Sequence, residues 1–367
     1  MVGRFIFWGS LGALGWTHAG YPLAAAGLAK VRPRPVRRGE VEPTVSLIVA
    51  AHDEEAVIAE RLANLLALDY PPAKVEIVVV SDGSSDRTDQ IVAAVAAEEP
   101  RIRLLTLSRR GKVSAQDAAV RETSGEILAF SDANALWRAD ALAELVRCFA
   151  DPDVAYVCGA HFYAPAAGTN REGTYGLYES WLRLNESRFG SITAGLGPIY
   201  AVRRRDYVEL DPRFGHDLAL PYLLVQRGRR AIVEPAAVAW EKPAPDIDVE
   251  YRRKIRMFEH CWLILHRGRM LRGSGWLYGL QLVSHRHLRY SSGMLHLALL
   301  GSSVALARGR PIYRRALEAQ LAVLAAALAR PGIPRYYVLV TWATVPALVN
   351  YLRAGVSPVW EKAAGTR

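Results

Sequence analysis

Three apolar runs each end in acidic or amide side chains. Residues 45–51 lead into His52-Asp53-Glu54-Glu55, residues 76–80 into Ser81-Asp82-Gly83-Ser84-Ser85-Asp86, and residues 127–130 into Ser131-Asp132-Ala133-Asn134. Short apolar runs bounded by turn residues read as buried strands. In an open α/β sheet, ligands bind outside the carboxyl ends of the strands. Carboxylates and an amide delivered to such a rim can face a bound anion or the metal ion that accompanies it. The plainer reading is that each aspartate only caps the next helix or makes a turn. Three such tips in succession favour the shared rim.

The elements that would position these groups alternate. Strands over 45–51, 76–80, 103–107 and 127–131 are interleaved with helices over 54–67, 87–98, 113–123 and 138–150. This order predicts a mostly parallel sheet covered by helices, with right-handed crossovers. Ile58, Leu62, Leu65 and Leu66 fall near one helical face and would dock on it. No GxGxxG follows the first strand and no Walker A motif is present, which argues against a dinucleotide site and a P-loop enzyme.

The 367 residues are 51% hydrophobic, with 46 basic against 36 acidic side chains and a net charge of +10. The basic residues hug apolar runs: Lys30, Arg32, Arg34, Arg37 and Arg38 follow one, and Arg252, Arg253, Lys254, Arg256, Arg267, Arg269, Arg272, Arg286 and Arg289 precede another. That pattern points to cytoplasmic flanks facing anionic membrane lipids. A nucleic-acid groove would need a basic face with aromatic platforms, so no nucleic-acid partner is expected. Residues 1–30 are expected to form an N-terminal transmembrane anchor, 31–43 a basic linker, 44–250 the α/β domain, and 251–290 interfacial basic helices. Residues 291–355 would be transmembrane or interfacial helices and 356–367 a basic tail. Three crossings would leave that tail outside, against the charge bias, so one apolar segment is expected to lie along the interface or re-enter. Cys148, Cys158 and Cys261 are too few and too far apart for a disulfide framework, which suits a reducing compartment.

The motifs ending at Asp53, Asp82 and Asn134, together with Arg110-Gly111-Lys112 and Gly215-His216-Asp217, resemble the ordered motifs of family 2 glycosyltransferases of GT-A fold. The resemblance covers roughly residues 44–260. It implies a GT-A, Rossmann-like cytoplasmic domain joined to α-helical transmembrane segments in the plasma membrane. It also implies a nucleoside-diphosphate sugar donor, commonly UDP-linked. Asp53 and Asp82 match in place the residues that contact uracil and ribose, and Lys112 suits the diphosphate. Asp132 would help hold Mg²⁺ or Mn²⁺ bridging the phosphates, with Asn134 standing where the family's DxD-like motif usually has a second aspartate. Asp217 is the expected general base, at the start of a helix over 218–226. Arg253 and Arg256 lie where processive members carry a Gln-x-x-Arg-Trp gate. Only Arg256 matches that gate, Met257 replacing its tryptophan; the two arginines would neutralise the departing diphosphate or bind lipid headgroups.

The expected activity is transfer of a sugar to a glycan or lipid-linked acceptor by a single inverting displacement. A processive polysaccharide synthase and a noncatalytic nucleotide-sugar-binding membrane scaffold are the alternatives. The aromatic residues of 172–181 and the glycine-rich stretch 193–201 fall on the acceptor side. No sequence feature specifies an oligomeric state.

Overall fold

Val45–Ala51 (β1), Val75–Asp82 (β2) and Ile127–Asp132 (β4) are apolar at nearly every position because both faces of this sheet are covered. In the computed structural model, which describes residues 1–163, 172–243, 246–329 and 332–359, the alternate positions split cleanly between two cores. Leu47, Val49, Val79 and Ala129 face one cluster; Ile48, Val78, Val80, Leu128 and Phe130 face the other. The first is closed by α3 (Ile58–Leu66), α4 (Thr88–Glu98) and α6 (Ala141–Arg147), and the second by α5 (Lys112–Arg121) and α8 (His216–Gln226).

The sheet has eight strands in the order β3-β2-β1-β4-β7-β6-β8-β5, with β3 Ile102–Leu107, β5 Leu136–Trp137, β6 Val154–Tyr163, β7 Tyr200–Arg203 and β8 Arg230–Glu241. The expected parallel pairing holds from β3 to β4. Beyond β4 the sheet is mixed: β7 runs antiparallel to both β4 and β6, and β5 is antiparallel to β8. The helix expected from residue 54 starts only at Ile58. The preceding backbone is committed elsewhere, since Glu54 N donates to Thr88 Oγ1 at 2.7 Å and Glu55 N to Asp86 Oδ2 at 3.0 Å. Those bonds tie the ends of β1 and β2 together at the rim.

Helices occupy both ends of the chain: α1 Val2–Gly15, a π-helical turn Trp16–Gly20 and α2 Tyr21–Val31, then α7 Glu172–Phe189 and α9 Ile247–Arg267. After these come α10 Trp276–Leu282, a π-helical turn Val283–His287, α11 Leu288–Tyr290, α12 Ser292–Leu306, α13 Pro311–Ala329 and α14 Ile333–Ala354. The transmembrane expectation is not supported. Among the described residues no single helix is long and apolar enough to cross a membrane. α13 and α14 qualify only together and are bent by 106°. The linker is not a free spacer either: Arg34 pairs with Asp153 at 2.9 Å, Arg38 with Glu234 at 2.7 Å, and the buried Arg230 donates to the Arg34 carbonyl at 2.9 Å. Residues 360–367 of the basic tail lie outside the described residues.

A buried polar network fastens the N-terminal helices to the rest. Tyr21 donates to Glu186 at 2.5 Å, His285 bridges Glu186 (2.8 Å) and Glu179 (3.1 Å), and Arg289 donates to Glu179 at 2.6 Å. Arg286 and Arg289, expected to face lipid, are each only 6% exposed. The lipid-flank reading of these two is overturned because Tyr175, Tyr178 and Glu179 of α7 cover Arg289 while Thr193 and Tyr290 hold Arg286, which residue order alone does not reveal.

Candidate active site

The strand ends converge as the motif order predicts. Asp132 closes β4, and Lys112 opens α5 directly after Gly111, whose φ of +96° an L side chain rarely adopts. A Cβ at Gly111 would also stand 2.0 Å from the Pro358 carbonyl oxygen, so glycine alone fits beneath that chain segment. Lys112 Nζ makes an ion pair with Asp132 Oδ1. Burial pulls the Lys112 pKa down, but the carboxylates of Asp132, then Asp217 and Glu241, outweigh it and hold the ammonium above its usual value.

The glycine-rich stretch 193–201 forms the junction of the site. Gly195 N donates to the Asp217 carbonyl at 2.7 Å, and the Pro198 carbonyl accepts from Trp137 Nε1 at 2.9 Å. Between these anchors, a Cβ on Gly197 would stand 3.6 Å from Asp132 Oδ2, 3.7 Å from Lys112 Nζ and 3.9 Å from Asp217 Oδ2. Two carboxylates and an ammonium thus face one small space at the first turn of α8. A cavity of about 440 Å³ opens there, lined by Asp82, Lys112, Asp132, Asn134, Arg253 and Arg256 among others. A second, of about 520 Å³, lies beyond it. Both share the wall made by His161, Tyr163, Leu196, Asp217, Lys254 and Met257.

Asp53 and Asp82 are spent partly on loop structure. Asp53, at φ 53°, accepts from Ser85 N at 2.6 Å and lies outside the lining of the first cavity. Asp82 does line it, but its two carboxylate oxygens accept from Arg110 N (2.6 Å) and Gly111 N (2.8 Å), which shapes the turn that presents Lys112. His216 points into the core, where Nδ1 meets the Tyr200 hydroxyl at 3.0 Å and Nε2 the Tyr207 hydroxyl at 3.2 Å. It therefore braces the start of α8 and leaves Asp217 facing the cleft.

Arg253 and Arg256 arrive on α9, whose first turn is capped by Asp246 Oδ1 accepting from Asp248 N (2.9 Å) and Val249 N (2.8 Å). The buried Glu250 fixes the next turn, pairing with Arg253 at 2.7 Å and Lys254 at 3.2 Å. Arg253 also donates to the Tyr163 hydroxyl at 3.2 Å. These two arginines face the cavity rather than a lipid surface.

Motif reading missed several contributors. Arg61 is fully buried on α3, donates to Ser131 Oγ at 2.7 Å and lies over the Trp137 ring at 5.1 Å. It holds the end of β4 from below, and a charge on the apolar face of α3 was its only sequence signal. His161 and Glu241, paired at 2.9 Å, join the cavity wall from adjacent strands β6 and β8.

Asp132 and Asn134 offer only oxygen donors, which suits a hard divalent cation. Among the described residues no cluster of three or more His, Cys, Asp or Glu side chains could hold a metal by itself.

The family model described as glycosyl transferase family 2 matches residues 46–210. A beta-monoglucosyldiacylglycerol synthase of Trichormus variabilis is 37% identical over 152 residues, covering 40% of this chain and 32% of that protein. The chain thus spans about a third of the length of that curated relative. An N-acetylglucosaminyltransferase of Bradyrhizobium elkanii is 34% identical over 125 residues, covering 33% of this chain and 68% of the relative. Among solved structures, a mannosyltransferase from Pyrobaculum calidifontis in complex with GDP-Man and Mn²⁺ superposes with a TM-score of 0.75 at 25% identity. The match covers 96% of this chain and 98% of that one.

Proposed function

The chain belongs to glycosyl transferase family 2, and from that premise we propose that it transfers a sugar from a nucleoside-diphosphate donor, inverting the anomeric carbon, to an acceptor held in the second cavity. The observation that carries this reading is the convergence of Asp132, Lys112 and Asp217 around Gly197, with Asp217 on the wall that the two cavities share. Lys112 binds the diphosphate, releasing Asp132 to oxygen-seeking partners. Asp132 and Asn134 are the residues that would hold a divalent cation, which supplies charge neutralisation for the leaving nucleotide. Arg253 and Arg256 add fixed positive charge at the same end.

Asp217 takes the proton from the acceptor hydroxyl as that oxygen attacks the anomeric carbon and the bond to the diphosphate breaks. The Asp82-braced loop and the rim around Asp53 form the nucleoside end, with UDP the first donor to test and GDP the second. The protein sits on a membrane surface: Phe5 is 81% exposed, Trp276 78% and Leu328 88%, apolar side chains that a lipid interface would cover.

A thermal-shift screen of UDP- and GDP-sugars, with Mn²⁺ or EDTA, tests the donor reading. A true donor raises Tm by mass action, more with Mn²⁺ than with EDTA, and Asp132→Ala removes the metal-dependent part. Failure of every nucleotide sugar to shift Tm would reject the proposal.

A further inference from the structure

The second cavity has a wall unlike the first. Four cationic side chains line it: Arg183, Lys254, Arg286 and Arg289. Arg289 is matched by Glu179 at 2.6 Å and Lys254 by Glu250 at 3.2 Å. The other two have no carboxylate partner. Arg183 is 7% exposed and donates through Nε to the Ala194 carbonyl at 3.1 Å; among the described residues it makes no ion pair. Arg286, 6% exposed, donates to Thr193 Oγ1 at 2.9 Å and meets the Tyr290 hydroxyl at 3.4 Å. Its buried Nη2 has no hydrogen-bond partner, and no carboxylate stands within ion-pair distance among the described residues. Glu179 and Glu186, the nearest buried acids, make their contacts with Arg289, His285 and Tyr21 and act on Arg286 only from beyond ion-pair distance. Asp217 faces the same cavity at its junction with the first.

A buried guanidinium with no carboxylate in contact is costly, and its planar fork matches phosphate or carboxylate. Two on one cavity wall describe a site completed by an anion. Apart from Glu179, which is paired with Arg289, and from Ser180 and His161, the remainder of the lining is mostly apolar and aromatic, and Phe162, Leu177 and Met257 stay partly open to solvent at 41%, 59% and 39% exposure. A ligand that satisfies both parts has an anionic group and an apolar body.

We propose that Arg183 and Arg286 form the anion-recognition site of the acceptor, an amphipathic molecule whose phosphate or carboxylate seats between them while its apolar body leaves past Phe162, Leu177 and Met257. The inference rests on the acceptor role of this cavity. It restricts the acceptor to anionic lipids and excludes neutral glycans. With the anion held there, a neighbouring acceptor hydroxyl is presented to Asp217.

The test is equilibrium binding of dioctanoyl phosphatidic acid and of dioctanoylglycerol, which differ by the phosphate alone, to the full-length purified chain. Wild type should bind the phosphatidic acid at least about tenfold more tightly. Arg183→Gln and Arg286→Gln should each abolish most of that preference, while binding of the neutral lipid and of the nucleotide-sugar donor stays within about twofold. Among the described residues Arg183 makes one hydrogen bond to protein, so its variant reads the site even if Arg286→Gln fails to fold by circular dichroism. Equal affinity for the two lipids, or a preference that survives both substitutions, overturns the inference. Inorganic phosphate binding as tightly as phosphatidic acid would also overturn it, marking a free-anion site. Anionic-lipid preference without any donor binding would instead reject the donor reading and leave the anion site standing.

Discussion

The two cavities that meet at Asp217 handle charge in opposite ways. On the donor side, Lys112 is matched by Asp132 and Arg253 by Glu250, so these charges are neutralised within the protein. A ligand there must displace one partner and gain more than it breaks. On the acceptor side, Arg183 and Arg286 have no carboxylate partner among the described residues, and the ligand itself supplies the counter-charge. The donor side is therefore preset for exchange of ions, the acceptor side for capture of one. That difference follows from construction. Strand ends and their adjoining turns bring acids and a lysine together over short loops, whereas the acceptor wall is assembled from α7, α9 and the π-helical turn before α11.

The junction offers the strongest test of that contrast. Asp217→Ala should lower kcat by about 10²–10⁴-fold, the usual contribution of a general base, with donor affinity nearly unchanged. Single-turnover transfer measured beside nucleotide binding would check it, and retained transfer would remove Asp217 from the mechanism. Next in size, Lys112→Ala should weaken donor binding by roughly 10- to 100-fold, as expected for loss of a hydrogen bond to a charged group of about 1.5–3 kcal/mol. Isothermal titration with UDP and GDP would show it. Acceptor binding should barely change, which separates the two cavities.

Arg61→Met probes the support beneath the donor side. Loss of its bonds to Ser131 and its contact with Trp137 should destabilise the chain by about 2–4 kcal/mol, readable in a urea titration. The network behind the acceptor side has a pH signature. Burial pushes Glu179 upward, but Arg289 and His285 outweigh it and hold its pKa well below the usual 4.5; Glu186 is lowered likewise, by His285 and Arg286. Carboxylates with depressed folded-state pKa contribute stability that is complete above 4.5 and lost as pH falls through the folded values. Tm should therefore fall as pH drops below 4.5, and less steeply in Glu179→Gln. The smallest effect expected is chemical: burial pushes the Cys148 and Cys158 thiols to about 12, so neither should react with a thiol reagent at pH 8 until the chain unfolds.

Much of the donor side was legible because strand ends carry chemistry at short sequence range. Asp132, Lys112 and Asp217 meet where the motif order places them. Asp53 and Asp82 were legible as rim residues, but their bonds to the backbone of Ser85, Arg110 and Gly111 were not. Asn134 lines the donor cavity beside Asp132, and Arg253 and Arg256 reach it from α9. Arg286 and Arg289 were misread as lipid flanks because hydropathy along the chain reports neighbours in sequence only. Arg289 is met by α7, about a hundred residues away, and Arg286 by Thr193 and Tyr290.

By itself, the sequence determined the alternation of strands and helices, the parallel half of the sheet and the acidic rim, because side-chain period and turn chemistry act locally. Only the tertiary structure decided the antiparallel half from β7 onward, the docking of the basic linker, and the meeting of two cavities at Asp217. It alone decided which charges are matched, since that depends on helices packing across the sheet and the cost of burying a charge depends on its neighbours in space. The unmatched pair, Arg183 and Arg286, stands 103 residues apart in the chain and on one wall in the fold.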